Sequence, residues 1–323
     1  MQYLVIGSSV TDFFTQISPG DHASVSNKTV TFHLGDKIPI QITEQAMGGN
    51  GMNVSIGLTR LGLHASFYTY LGNDSYSHDI EAFLEKEGVR VYAEKDGETS
   101  DISFILDMSD DRIIFSHHPV RDHGFSAPEN QQFDKIFLSS VGDHWEEAYK
   151  KVLTYATYSQ TPLIFSPGSR QLNDINDTFF SALHASESLL INKDEASEIL
   201  DHFGTSYSDI SSIIHGLAQL GPKVISITDG GQGAYGFNGA DVFHISTLSK
   251  EKAPEKTGAG DAYASGFLAA LAHNHPIEEG MRWGSLNAHM VMQKIGAQNG
   301  LITQDELLRL LEKHDTFKAT KVA

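Results

Sequence analysis

From residue 130 onward the chain alternates short, densely apolar runs with longer stretches of helical character, and no other feature restricts its fold as much. Runs at 136–138, 163–165, 189–191 and 224–228 are rich in β-branched and aromatic residues, and helical stretches at 145–155, 210–220 and 262–271 are interleaved with them. The runs are continuous rather than alternating apolar with polar, which is the pattern of strands covered on both faces. That rhythm predicts an α/β fold, with a mostly parallel sheet and helices on both faces. Residues 3–6, 66–71, 102–106 and 113–115 supply further strand candidates.

Two regions break the rhythm. Residues 12–45 and 91–123 are polar and carry short alternating pieces, such as 29–32 and 38–42, that predict small antiparallel strands outside the main sheet. Both insert in the N-terminal half of the sheet, so they are expected to form a two-part β lid over the active face. One large unit with such an appendage accommodates all 323 residues, and 1–323 is read as a single domain. Residues 318–323 are expected to be a frayed end.

Composition removes several classes of function. There is no cysteine, which excludes disulfide scaffolds and thiolate metal sites. The formal charge of -18 repels phosphate backbones and anionic lipid heads, so neither nucleic acid nor a membrane surface is an expected partner. No apolar run approaches the roughly 20 residues that span a bilayer, and the opening Tyr3-Leu4-Val5-Ile6 reads as a buried strand rather than a secretory signal. A cytoplasmic protein is expected. The fingerprints G-x-x-x-x-G-K-[ST], strand-linked G-x-G-x-x-G and G-x-S-x-G are all missing.

The densest chemical signal is Thr257-Gly258-Ala259-Gly260-Asp261, which feeds a run of small apolar residues suited to a buried helix. Glycines at 258 and 260 free the backbone to curl, and the helix start adds partial positive charge, so an anion is held there without lysine or arginine. Asp261 beside such an anion is placed to accept the proton of an attacking hydroxyl. Alone, it reads equally as a capping residue after a glycine turn.

Other constellations lie along the chain in order. Gly48-Gly49-Asn50-Gly51-Met52-Asn53 turns into a helix and sets the Asn50 and Asn53 amides about one turn apart; helix capping explains them too. Asn192-Lys193-Asp194-Glu195 joins a strand to a helix and presents an amide and a carboxylate three apart, suited either to hydrated magnesium or to an ordinary capping box. Thr228-Asp229-Gly230-Gly231-Gln232-Gly233 reads as a tight hairpin. Asp12 alone is a turn residue. His117 and His118 are adjacent on a predicted strand and point to opposite faces, so they make no metal pair, and Ser109-Asp110-Asp111-Arg112 reads as a polar turn.

Taken together, the segments around Gly48 to Asn53, Asn192 to Glu195, Thr228 to Gly233 and Gly258 to Asp261 resemble the signatures of the ribokinase family, the PfkB-type carbohydrate kinases, in the family's order. The resemblance implies a three-layer sandwich with a β-sheet lid and transfer of the γ-phosphate of ATP to a hydroxyl of a sugar. It implies that Asp261 is the catalytic base and that Gly258, Ala259 and Gly260 form the anion hole. Asp12, Gly48, Gly49, Asn50 and Asn53 would hold the acceptor. Asn192 and Glu195 would support Mg²⁺, with Asp194 sharing the role. Asn192, Thr228, Gly230 and Gly233 would meet the nucleotide, and Asn287 with Gly296-Ala297-Gln298 would border the adenine. Glu255 and Lys256 depart from the family's Asp and Thr, which leaves a K⁺ site open. Asn50 in place of a lysine and Ser139-Ser140 in place of an acidic ligand depart from true ribokinases. Two alternatives therefore stand beside a sugar kinase: a nucleoside kinase of the same fold, and a catalytically inactive nucleotide- or sugar-binding regulator. A homodimer through the lid is also implied.

Overall fold

The computed structural model describes residues 1–17, 24–26, 29–108, 112–204, 209–251 and 256–322. Glu255 and the acidic pair Asp110-Asp111 therefore lie outside the described residues.

A ten-stranded sheet runs through the molecule. Its strands lie in the spatial order Arg90–Lys95, His64–Leu71, Gln2–Ile6, Lys135–Ser139, Leu163–Ser166, Ser186–Asn192, Val224–Thr228, Ala234–Phe237, Val242–Ile245 and Thr320–Lys321. The first seven are mutually parallel and the last three continue antiparallel. From Gln2–Ile6 the chain builds first to one side and later to the other, so the strand order reverses beside this central strand.

Side-chain alternation divides the core in two. Tyr3 and Val5 pack with the helices Asn50–Arg60, Ser75–Lys86, Ala259–Ala272 and Ile277–Val291 on one face. Leu4 and Ile6 pack with Glu146–Ser159, Asp177–Ala185, Lys193–Asp201 and Ile210–Ala218 on the other. Both faces being covered, each interior strand must be apolar throughout, which is why these strands read as continuous runs. Ala259–Ala272 is itself buried continuously from Ala262 to Ala270. Its small residues let it lie close against Ile277–Val291 and Asn50–Arg60. No helix among the described residues is long and apolar enough to cross a membrane.

A second sheet of four strands, Ile40–Gly48, Val10–Ile17, Ile102–Asp107 and Arg112–His117, stands apart from the first. A two-stranded ribbon pairs Ser24–Ser26 with Thr29–Thr31. The expected segments 12–45 and 91–123 thus need correction at their edges. Arg90–Lys95 belongs to the edge of the main sheet, where one flank is open and its half-exposed polar residues imitate a lid strand. Val10–Ile17 and Ile40–Gly48 extend the second sheet past both ends of the first segment. The expected frayed end is also corrected, because Thr320–Lys321 pairs with Val242–Ile245.

Candidate functional site

Ser166, Asn192 and Thr228 each end a parallel strand, and they line one cavity of about 410 Å³. Such crevices at the carboxyl ends of parallel strands are where open α/β sheets bind ligands. Asn192 and Thr228 are direct register partners, which brings the two motifs side by side although 36 residues separate them in sequence.

The opposite wall is the start of Ala259–Ala272. Gly258 caps this helix at φ 76°, in the left-handed region that favours glycine, and a Cβ there would come within 2.5 Å of the Ala297 Cβ. The three loop residues have separate roles. Gly260 lines the cavity, the Ala259 N–H donates to the Lys256 carbonyl at 3.2 Å, and Gly258 makes the turn. Asp261, also in the first turn of the helix, lines the cavity as well.

The Asp261 carboxylate is held from behind. Its Oδ2 accepts a hydrogen bond from the Asn53 Nδ2 at 2.8 Å, and the Asn53 Oδ1 accepts one from the Gln298 Nε2 at 2.9 Å. Asn53 and Gln298 are each only 3% exposed. The Arg60 guanidinium, paired with Glu87, donates to the Gln298 and Leu301 carbonyls at 2.9 Å and so ties down the loop that carries Gln298. Burial pushes the Asp261 carboxyl up to about 7, the Asn53 N–H opposes that rise, and the Glu195 carboxylate adds to it. Acting as the base that the sequence resemblance implies, Asp261 must be unprotonated. Activity is therefore expected to fall as pH drops through about 7. Replacing Asn53 by Ala removes the opposing donor, so the acid limb of kcat/KM is expected to move to higher pH. A pH–rate profile of both proteins checks this, and an unmoved or lowered limb in the variant contradicts it.

Across the cavity, Asn192 caps the helix Lys193–Asp201 through a complete capping box: its Oδ1 accepts from the Glu195 N–H at 2.9 Å, and the Glu195 Oε2 accepts from the Asn192 N–H at 2.8 Å. The capping reading is therefore realised, and both residues still face the cavity. Burial, with repulsion from Glu198 and Asp194, raises the Glu195 carboxyl above its ordinary range. Asp194, Glu195, Asp229 and Asp261 together make a lining rich in hard oxygen donors, which suits Mg²⁺. Among the described residues no three His, Asp or Glu side chains converge to hold a metal by themselves. An ion carried in with phosphates, on one or two carboxylates, fits that arrangement.

The remaining predicted residues are placed unevenly. Asn50 and Gly230 line the cavity, whereas Gly233, Gly48, Gly49 and Asp12 do not. Asp12 is buried on Val10–Ile17 of the second sheet, and its Oδ2 lies so near Gly48 that a Cβ there would stand 2.5 Å away. Gly49 caps the helix Asn50–Arg60 at φ 100°. Asn53 reaches the site only through Asp261. Asn287 is fully buried: its Nδ2 donates to the Ala262 carbonyl at 2.9 Å, and its Oδ1 accepts from the Ile302 N–H at 3.2 Å. It is not brought to the cavity but braces the helix that carries Asp261. His117 and His118 bond to Thr99 and Asp101 respectively and form no pair.

Ser166, Pro167, Lys193, Asp229, Ser226 and Tyr263 also line the cavity. The first two follow a run already read as a strand, so the rule of strand carboxyl ends was available to find them. Lys193 and Asp229 lie inside segments already singled out without being given a role, and nothing local marks Ser226 or Tyr263.

The same order of elements recurs in known proteins. A family model described as pfkB family carbohydrate kinase matches residues 25–304. The 5-dehydro-2-deoxygluconokinase of Halalkalibacterium halodurans is 25% identical over 288 residues, covering 84% of this chain and 87% of that one. The nucleoside kinase of Methanocaldococcus jannaschii is 22% identical over 280 residues, covering 86% and 89%. The crystal structure of that nucleoside kinase superposes with a TM-score of 0.76 at 19% identity, covering 97% of this chain and 98% of that one. Ribokinase from Thermotoga maritima superposes at 0.75 with 20% identity, covering 96% and 99%. A match that runs from the two-stranded ribbon to the start of the last helix, on a fold shared almost end to end, leaves one conclusion: the chain belongs to the pfkB family of carbohydrate kinases.

Proposed function

We propose that this protein transfers the γ-phosphate of ATP to a hydroxyl of a sugar, with Asp261 as general base. One observation carries this reading: a carboxylate raised to about 7 stands in the first turn of a glycine-led helix and faces a cavity bounded by strand carboxyl ends. The helix start and the Gly260 backbone favour the phosphoryl oxygens, while Thr228 and Gly230 border the rest of the polyphosphate. As the acceptor oxygen bonds to phosphorus and ADP leaves, the hydroxyl proton passes to Asp261 and from there to solvent. Asn192 and Glu195 would hold Mg²⁺, which when bound offsets phosphate charge. Asp12, Gly48 and Asn50 place the acceptor between the cavity and the second sheet, which acts as its lid.

A nucleoside acceptor is the second reading, favoured by the match to the Methanocaldococcus jannaschii nucleoside kinase. ADP release measured over pentoses, hexoses, sugar phosphates and nucleosides separates the two. Turnover is expected with a sugar; turnover with nucleosides alone selects the second reading, and ATP binding without any turnover selects an inactive regulator.

Ile40, Ile42, Phe104 and Phe115 are exposed and share one face of the second sheet by register. We place a homodimer contact there, in a cytoplasmic enzyme.

A further inference from the structure

Among the residues lining the cavity the carboxylates are Asp194, Glu195, Asp229 and Asp261, and the single cationic side chain is Lys193. Its Nζ donates to the Asp229 Oδ2 at 2.9 Å. The pair joins the residues that immediately follow Asn192 and Thr228, the register partners at the ends of adjacent strands, so the ammonium bridges the two motifs that border the polyphosphate. Stability does not explain it. Lys193 is the first residue of its helix, where the dipole disfavours a cation, and the Lys193 side chain is 44% exposed, which makes the ion pair worth little. A polyanion entering a cavity whose other charges are all negative needs a counter-charge beyond the backbone amides, and among the described residues that line it this ammonium is the side chain placed to supply it.

We propose that Lys193 is a ligand of the nucleotide's polyphosphate and that Asp229 competes with the phosphates for its ammonium, so that ATP binding exchanges one carboxylate partner for phosphate oxygens. This rests on the ATP-dependent reading above. No bond is made or broken: the ammonium keeps its proton and exchanges the Asp229 carboxylate for phosphate oxygens as its acceptor.

The competition gives the two partners opposite signs, which a purely structural clasp does not. Calorimetric titration with ATP and with AMP, each with and without Mg²⁺, is the test, on wild type, Lys193→Ala, Asp229→Asn and the double variant, with thermal unfolding confirming that all are folded. Lys193→Ala is expected to weaken ATP binding about tenfold, the usual size of one lost charge-assisted contact, and to leave AMP nearly unchanged. Asp229→Asn is expected to tighten ATP, and to tighten it distinctly less once Lys193 is Ala, because only the general loss of one negative charge then remains. If both single variants weaken ATP, the pair is a structural clasp and the proposal is wrong. A loss in Lys193→Ala that vanishes without Mg²⁺ also overturns it, since the effect then runs through Asn192 and Glu195. A wild-type protein that binds no ATP in any arm overturns the kinase reading itself.

Discussion

Replacing Asp261 by Asn is expected to lower kcat by at least ~100-fold, the lower end of what a positioned general base contributes. The substitution keeps the shape of the side chain and leaves an oxygen to accept from Asn53, so the helix start and its neighbours have no reason to move. What it removes is the ability to take a proton. ATP affinity is expected to hold or improve, because one negative charge disappears from a wall that already carries Asp194, Glu195 and Asp229. Steady-state turnover beside calorimetric ATP titration checks both halves. Near-normal turnover would remove Asp261 from the mechanism, and lost ATP binding would show that the residue holds the site together rather than serving as its base.

The second large effect is expected at Gly258. An alanine there must adopt φ 76°, and its Cβ would stand 2.5 Å from the Ala297 Cβ and 3.0 Å from the Ala297 carbonyl oxygen. The left-handed backbone costs about 1–2 kcal/mol and the overpacking a further ~1–3 kcal/mol. Relief must come by moving the loop at Ala297, whose neighbour Gln298 orients Asn53 and through it Asp261. Displacement of about 1 Å at a reacting group costs on the order of 100-fold, so kcat/KM is expected to drop by that factor together with thermal stability. Gly260→Ala is the contrast: a Cβ at that position meets nothing within 4 Å, and the variant is expected to unfold at the wild-type temperature. Thermal unfolding and kinetics of the two variants side by side decide the matter. A Gly258→Ala protein as stable and as active as wild type would show that the turn does not transmit strain to the base.

How much of this was legible before folding depends on whether the signal is local. The interior strands announced themselves, because a strand covered on both faces has no polar side to show. The edge strand Arg90–Lys95 did not, since its open flank tolerates the half-polar sequence that was read as lid. The glycine turn and the acid after it were visible at 258–261, because curling backbone and a helix start are properties of a few consecutive residues. Asn287 carries the opposite lesson. It stands where the resemblance puts a nucleotide neighbour, and its amide is spent on the Ala262 carbonyl and the Ile302 N–H.

The sequence by itself determined the fold class, through short-range periodicity and turn chemistry, while the order of the motifs and the proposed base came from their resemblance to a known family. Only the tertiary structure decided that Gln298 aims Asn53 at Asp261 across more than 200 residues, and that Lys193 meets Asp229. The physical reason is that hydrogen bonds and ion pairs act over about 3 Å in space and are indifferent to separation along the chain. Partners of that kind exist only once parallel strands fall into register and bring their ends together.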